Sequence, residues 1–254
     1  MGLRVLAYRA YQRVLRSRLA PSALPRHVGV IIDGNRRWAA AYGATPRHGH
    51  AAGADKVVEF LGWCDEVGID VVTLWLLSTD NVTARKSAEL DALLEIIPDL
   101  VDRLAETGRW HVNPVGRLDL LPAPIAARLK EVGEATAAID GITVNLAIGY
   151  GGRQEITDAV RSLLAEHAER GTPLHELADT LDVADISRHL YTRGQPDPDF
   201  VIRTSGEQRL SGFLLWQSAH SEYWFCEAYW PEFRKVDFLR ALRSYSTRHR
   251  RFGS

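Results

Sequence analysis

The chain carries only two cysteines in 254 residues, Cys64 and Cys226, and a single methionine. The cysteines lie far apart, in apolar surroundings and outside any C-x-x-C pair. That excludes a disulfide framework and a thiolate zinc site, and it makes a reducing cytoplasm the expected compartment. No apolar run approaches the ~20 residues that cross a bilayer, and the N-terminus lacks the apolar core and cleavage site of a signal peptide. An excess of either charge is missing too. The formal net charge is -1, with both signs dispersed along the chain, so the global basic surface of a nucleic-acid protein is excluded and any anion site must be local. There is no internal repeat and no low-complexity tract. The G-x-G-x-x-G and G-x-x-x-x-G-K-[ST] phosphate loops are absent as well, which disfavours a dinucleotide fold or a P-loop. What is present is 46% hydrophobic residues, enough to fill the core of one large domain.

Residues 1–19 hold Arg4, Arg9, Arg13, Arg16 and Arg18 and no acid, with Leu3, Leu6, Ala7, Ala10 and Val14 at helical spacing. This predicts a basic amphipathic helix that either packs on its own domain or rests on an anionic membrane surface. Leu6 stands where a myristoylation signal wants Ser or Thr, so the Met-Gly start predicts no lipid anchor. Pro21 and Pro25 break the segment off, giving an N-terminal helix over residues 1–24 and a main domain over 25–254. From His27 onward short apolar runs alternate with longer helical stretches. Strands are predicted over 28–32, 71–77, 111–115, 142–148 and 200–202, and helices over 49–67, 88–106, 124–138, 153–170 and 237–248. The pattern places the chain in the α/β class, as a single open, mostly parallel sheet flanked by helices. Ligands of such sheets gather at the carboxyl ends of the strands.

Three strand ends carry anion-binding chemistry. The first runs into Asp33-Gly34-Asn35-Arg36-Arg37-Trp38. There the glycine lets backbone N–H groups approach, the arginines neutralise phosphate oxygens, and the carboxylate can hold Mg²⁺. A solvated turn explains the glycine and asparagine but not two arginines crowding one aspartate. The second ends in Ser78-Thr79-Asp80-Asn81, followed by a polar, aperiodic stretch over 82–87 that reads as a flap. The third ends in Arg203-Thr204-Ser205-Gly206-Glu207-Gln208-Arg209-Leu210-Ser211, where two arginines beside serine hydroxyls make a cradle for diphosphate oxygens. For Glu207 a structural ion pair with these arginines is expected. In a parallel sheet the three ends converge.

The run HVGVIIDGNRRW from His27 to Trp38 resembles the opening motif of the cis-prenyltransferases, the undecaprenyl diphosphate synthase family. The likeness continues through Ser78 to Asn81, Asn145 to Gly152, Val201 to Ser211, the Glu222 region, Trp230-Pro231 and the terminal Arg250-Arg251-Phe252-Gly253. The resemblance implies a Mg²⁺-dependent enzyme that joins isopentenyl diphosphate to an allylic diphosphate and sets a Z double bond. On it, Asp33 is expected at the allylic diphosphate with Mg²⁺, and Gly34, Asn35, Arg36, Arg37 and His50 around the same phosphates, with Trp38 bracing the loop. Ser78, Thr79, Asp80 and Asn81 fall near the allylic group, Asn81 taking part in proton removal. Arg203, Arg209, Leu210 and Ser211 match the isopentenyl diphosphate site, and Glu222 a second magnesium-linked carboxylate. Arg251 and Gly253 match a terminal R-x-G that reaches across a homodimer. Some positions depart from the family: Pro46 stands where an arginine is usual, leaving Arg47 one step late, Asp80 replaces a glutamate, Val82 replaces a tryptophan, and Arg85 fills a flap of altered length.

An apolar tunnel for the prenyl tail is expected between a helical stripe, Leu90, Leu93, Leu94, Ile97, Leu100, Val101 and Leu104, and strands bearing Leu74, Leu76, Val144, Leu146 and Ile148. Such a stripe is more often plain core than a tunnel, and only the resemblance turns the reading to a tunnel. Similar long-chain enzymes carry a small residue where Leu76 stands, so Leu76 implies early closure and a fifteen-carbon (2Z,6E)-farnesyl product from a geranyl primer. A long-chain decaprenyl or undecaprenyl synthase, a non-catalytic scaffold subunit and a phosphatase or nucleotide-binding protein are the alternatives. No D-D-x-x-D motif of the trans-type synthases occurs.

Overall fold

A computed structural model describes residues 2–83 and 88–248. Helix α1 (Gly2–Ser17) precedes strand β1 (His27–Ile31), helices α2 (Asn35–Ala41) and α3 (Pro46–Val67), and β2 (Val71–Ser78). Then come α4 (Thr79–Thr83), α5 (Ala88–Glu106), β3 (His111–Val115), α6 (Ala123–Thr136), β4 (Thr143–Tyr150) and α7 (Gly152–Glu169). The chain continues through α8 (Leu174–Thr180), α9 (Val183–Ser187), β5 (Phe200–Arg203), β6 (Glu222–Phe225) and α10 (Lys235–Thr247). The strands form one sheet in the order β3-β4-β2-β1-β5-β6, and every pairing is parallel.

The order reverses around β1, so the carboxyl ends of β1, β2 and β5 meet at the centre of the sheet, where a doubly wound sheet binds its ligands. Helices cover both faces, which is why β1 and β5 are buried along their whole length. One core cluster joins Val28, Val30, Leu74 and Ile202 to α3, α5 and α10, and a second, on Ile31, Tyr150, Val201 and Phe213, fills the other face. Helix α3 starts where the Thr45 hydroxyl accepts the His48 N–H with Pro46 in the first turn, and it stops at Gly68, whose φ is 77°.

The five expected strands and five expected long helices are present, with ends displaced by at most three residues. Strand β6 escaped the sequence pattern because its four residues lie at a sheet edge with no alternation to mark them. The N-terminal helix packs on α10, but through a different face from the apolar stripe in the sequence. Leu15 is buried against Val236 and Leu239, with Tyr8 and Leu19 beside it, whereas Leu6 and Val14 are 65% and 44% exposed.

Candidate active site

The turn after β1 is built around Gly34, which has φ 100°. An added Cβ there would come within 2.6 Å of the Tyr229 ring, so only glycine fits. The Thr204 hydroxyl ties this turn to the end of β5, accepting the Asp33 N–H at 3.1 Å and donating to the Asp33 carbonyl at 2.7 Å. The Asp33 carboxylate is thereby held between two guanidinium groups, Arg203 at 2.8 Å and Arg37 at 3.1 Å. Burial pushes its pKa up, but hydrogen bonds from Arg203, Ser205 and Arg37 outweigh burial and hold it below the usual carboxylate range.

Arg203 also donates to Ser211 Oγ at 2.9 Å and to the Arg209 carbonyl. With its side chain only 5% exposed, it fixes the loop from Thr204 to Ser211 against the sheet. That loop is strained: Ser205, Ser211 and, just beyond, Leu214 are non-glycine residues with positive φ. Tyr150 holds its far end, accepting the Leu214 N–H at 3.1 Å and donating to Glu155 at 2.5 Å. Burial pushes the Glu155 carboxyl up, against the hydrogen bonds it accepts.

Around Asp33 opens a cavity of about 880 Å³, lined on one side by Arg36, Arg37 and His50 and on the other by Arg209, Ser211 and Asn81. Glu207 receives Arg37 at 3.3 Å and also Arg209, and Glu89 of α5 receives Arg36 at 3.2 Å and His50 at 3.0 Å. Cations therefore line a cleft and are bridged by side-chain carboxylates, an arrangement that suits the binding of a polyanion such as diphosphate.

Below the cleft, β2 is irregular. Trp75 pairs with Ala147 and Leu77 with Ile148, so Leu76 has no partner on β4. A bulge of this kind re-aims a side chain, and Leu76 lines both the cleft and an apolar recess of about 30 Å³ beneath it, with Val57, Leu93, Ile97 and Leu100. The expected tunnel stripe thus divides. All of its residues but the partly buried Leu94 belong to the first core cluster, and Leu93, Ile97 and Leu100 also face the recess. Helices α2 and α3 approach closely because Gly49 and Gly53 face Asn35, whose buried Oδ1 has no hydrogen-bond partner.

The structure gathers Asp33, Gly34, Asn35, Arg36, Arg37, His50, Asn81, Arg209 and Ser211 into one cleft, with Ser78 and Arg203 in the adjoining cavity. Others stand apart. Arg47 pairs with Glu95 of α5 at 2.6 Å and does not line the cleft, because it sits on the outer side of the first turn of α3. Trp38 stacks on His48 and braces α2 against α3, Leu210 packs in the second core cluster, and Thr79 and Asp80 line a neighbouring pocket beside Gly151. Within one chain Glu222 does not reach Asp33. It opens β6 opposite Phe200, a full strand from Arg203, about 10 Å away, and its carboxylate takes Arg248 at 2.5 Å. Trp230, part of the family likeness, is fully buried. Arg85, Arg251 and Gly253 lie outside the described residues. Sequence reasoning missed Glu89 and gave Tyr150 no part of its own, because their roles depend on contacts between distant segments.

Comparison with known proteins agrees with this geometry. The undecaprenyl diphosphate synthase family model matches residues 31–253. A (2Z,6E)-farnesyl diphosphate synthase of Thermobifida fusca is 64% identical over 255 residues, covering 100% of both chains. A short-chain Z-isoprenyl diphosphate synthase of Mycobacterium bovis is 54% identical, covering 97% of this chain and 95% of its own. The crystal structure of lavandulyl diphosphate synthase from Lavandula x intermedia, in complex with dimethylallyl diphosphate, superposes with a TM-score of 0.85 at 33% identity, covering 92% of this chain and 100% of that one. A sheet that brings Asp33, Arg37 and Arg203 together, and a match along almost the whole length, make this chain a member of the undecaprenyl diphosphate synthase family of cis-prenyltransferases.

Proposed function

We propose that the chain condenses isopentenyl diphosphate with geranyl diphosphate to give (2Z,6E)-farnesyl diphosphate, and that residues 25–254 carry the activity. The observation that carries the short-chain reading is Leu76, which the β2 bulge leaves unpaired and which lines the apolar recess beneath the cleft where a lengthening tail must pass. Close-packed interiors yield little to a lengthening chain.

In this reading Arg36, Arg37 and His50 hold the allylic diphosphate, while Arg203, Arg209 and Ser211 hold the isopentenyl one. The allylic C–O bond breaks with its electron pair leaving on diphosphate, the isopentenyl double bond forms the new C–C bond, and a proton passes from the isopentenyl C2 to the released diphosphate, which sets the new double bond. The arginines stabilise charge that grows on the leaving oxygens, and their preorganisation by Asp33, Ser205 and Glu207 removes the cost of reorienting them. Asn81, at the lip of both cavities, sits where the proton departs.

Asp33 suits Mg²⁺: it is a hard oxygen donor kept ionised at the cleft, and Mg²⁺ is commonly bound by one or two carboxylates plus substrate phosphates. The ion would supply charge neutralisation on the leaving diphosphate. The enzyme is further proposed to work as a homodimer in a reducing cytoplasm, with α1 touching an anionic membrane surface.

The test is mass spectrometry of products formed from isopentenyl and geranyl diphosphates with Mg²⁺. Wild type should stop at fifteen carbons. Leu76→Ala should release longer chains, at a stability cost of roughly 2–5 kcal/mol if the site does not collapse. Wild-type products of fifty carbons or more would make this a long-chain synthase instead. Release of inorganic phosphate without a new C–C bond would end the transferase reading.

A further inference from the structure

The cleft opens into apolar space on both faces of the sheet. On the α5 face is the recess beneath Leu76. Toward the other face, a cavity of about 170 Å³ lies against Asp33, Arg203, Ser211 and Asn81, and its apolar wall includes Ile31 and Trp75. The β2 bulge stands between the two: Trp75 keeps its register with Ala147 and packs in the second core cluster, whereas the unmatched Leu76 packs against the first and borders both spaces.

The Trp75 ring is held from two sides. It stacks on Phe213 with centroids 5.5 Å apart and planes 12° from parallel, and it meets Tyr150 at 6.2 Å in an edge contact. Its indole N–H is buried without a hydrogen-bond partner, a cost that a phenyl ring at this position would avoid. The ring's bulk, rather than its polar edge, is therefore what the site uses.

Both substrates of the proposed condensation carry a diphosphate head, so the heads alone do not sort them. The tails must. A cavity of about 150 Å³ holds a benzene-sized group, and the space beside Trp75 is of that order. We infer that Trp75 is the specificity-determining wall of the acceptor site, admitting the five-carbon tail of a homoallylic diphosphate and refusing a longer one. This rests on the condensation reading, with Arg203 and Ser211 holding the acceptor's head.

The experiment compares wild type, Trp75→Phe and Trp75→Leu with geranyl diphosphate as donor. The acceptors are isopentenyl diphosphate and its homologue bearing an ethyl group in place of the branch methyl. Trp75→Leu should raise KM for isopentenyl diphosphate about fivefold while leaving KM for geranyl diphosphate within about twofold. It should also shift the kcat/KM ratio of the ethyl homologue to isopentenyl diphosphate upward by about tenfold, with Trp75→Phe intermediate. An unchanged ratio in a folded, active variant overturns the role of Trp75, as does an equal rise in both KM values. Should Trp75→Leu fail to fold, the same ratio measured in Trp75→Phe decides. A wild-type protein that forms no C–C bond from these substrates overturns the condensation reading itself.

Discussion

Asp33 shows how one residue can join strand geometry to chemistry: its backbone closes β1 against β5 through Thr204, and its carboxylate positions two arginines. Asp33→Ala should still fold, because the side chain is 27% exposed and no core packing is lost, but with reduced stability, because the buried Arg203 guanidinium loses its carboxylate. Turnover should fall about 10²–10³-fold, as measured by incorporation of labelled isopentenyl diphosphate, and wild-type turnover in the purified variant would refute the assignment. His27 belongs to the opposite end of the sheet and to folding alone. It is buried between the Pro196 carbonyl at 2.7 Å and Thr73 Oγ1 at 2.8 Å, and burial pushes its pKa down to about 4. Below pH 6.5 the unfolded chain takes up a proton that the folded ring refuses. Stability is therefore full above pH 6.5 and lost as pH falls toward 4, by roughly 3 kcal/mol. In urea titrations across that range, wild type should lose more stability than His27→Gln. Parallel curves would exclude His27 as the cause.

Among the elements, the ones legible from sequence are those whose pattern is long or whose signals are chemical. Helix α5 has the predicted bounds because its apolar residues recur at helical spacing over 19 positions. The Asp33 turn was readable because a buried strand ends in charge. Helix α2 was not, since its NRRWAAA sequence carries no apolar periodicity and takes its place from Gly49 and Gly53 on α3. The β2 bulge escaped for the same reason: only pairing with β4 reveals that Leu76 is unmatched. Helix α1 was read as a helix, but what its apolar stripe meets was not legible, because Leu15 and the Tyr8 ring, outside that stripe, make the contact with α10 and only the shape of α10 decides. That leaves Leu6, Ala7, Ala10, Arg13 and Val14 exposed on one side. An apolar row beside arginines complements an anionic bilayer. The protein should cosediment with vesicles containing phosphatidylglycerol and much less with pure phosphatidylcholine, and Leu6→Glu with Val14→Glu should abolish the difference without changing turnover in detergent. Equal sedimentation with both vesicle types would dismiss the membrane contact.

For the whole molecule, the question is whether one chain holds a complete site. The second carboxylate that the family resemblance brings to the metal, Glu222, opens the edge strand β6, paired with Arg248 and a strand's length from Arg203. The Arg251 segment follows directly from α10. Among the described residues strand β6 has one neighbour in the sheet, and Phe225 on it is 38% exposed, so among them this edge presents unpaired backbone and aromatic surface that a second copy can cover. A homodimer that exchanges its C-terminal segments would bring residues of one subunit to the cleft of the other. Light scattering at assay concentration should therefore give twice the monomer mass. Subunit mixing provides the sharper measurement. Asp33→Ala and Arg251→Ala should each be nearly inactive as homodimers. When the two are co-expressed, half the dimers are mixed, and each mixed dimer rebuilds one intact site from the Asp33 of one subunit and the Arg251 of the other. Activity should return to about a quarter of the wild-type value. If Arg251 served its own subunit, both sites of the mixed dimer would remain defective, and a mixture no more active than its parents would place the segment in cis.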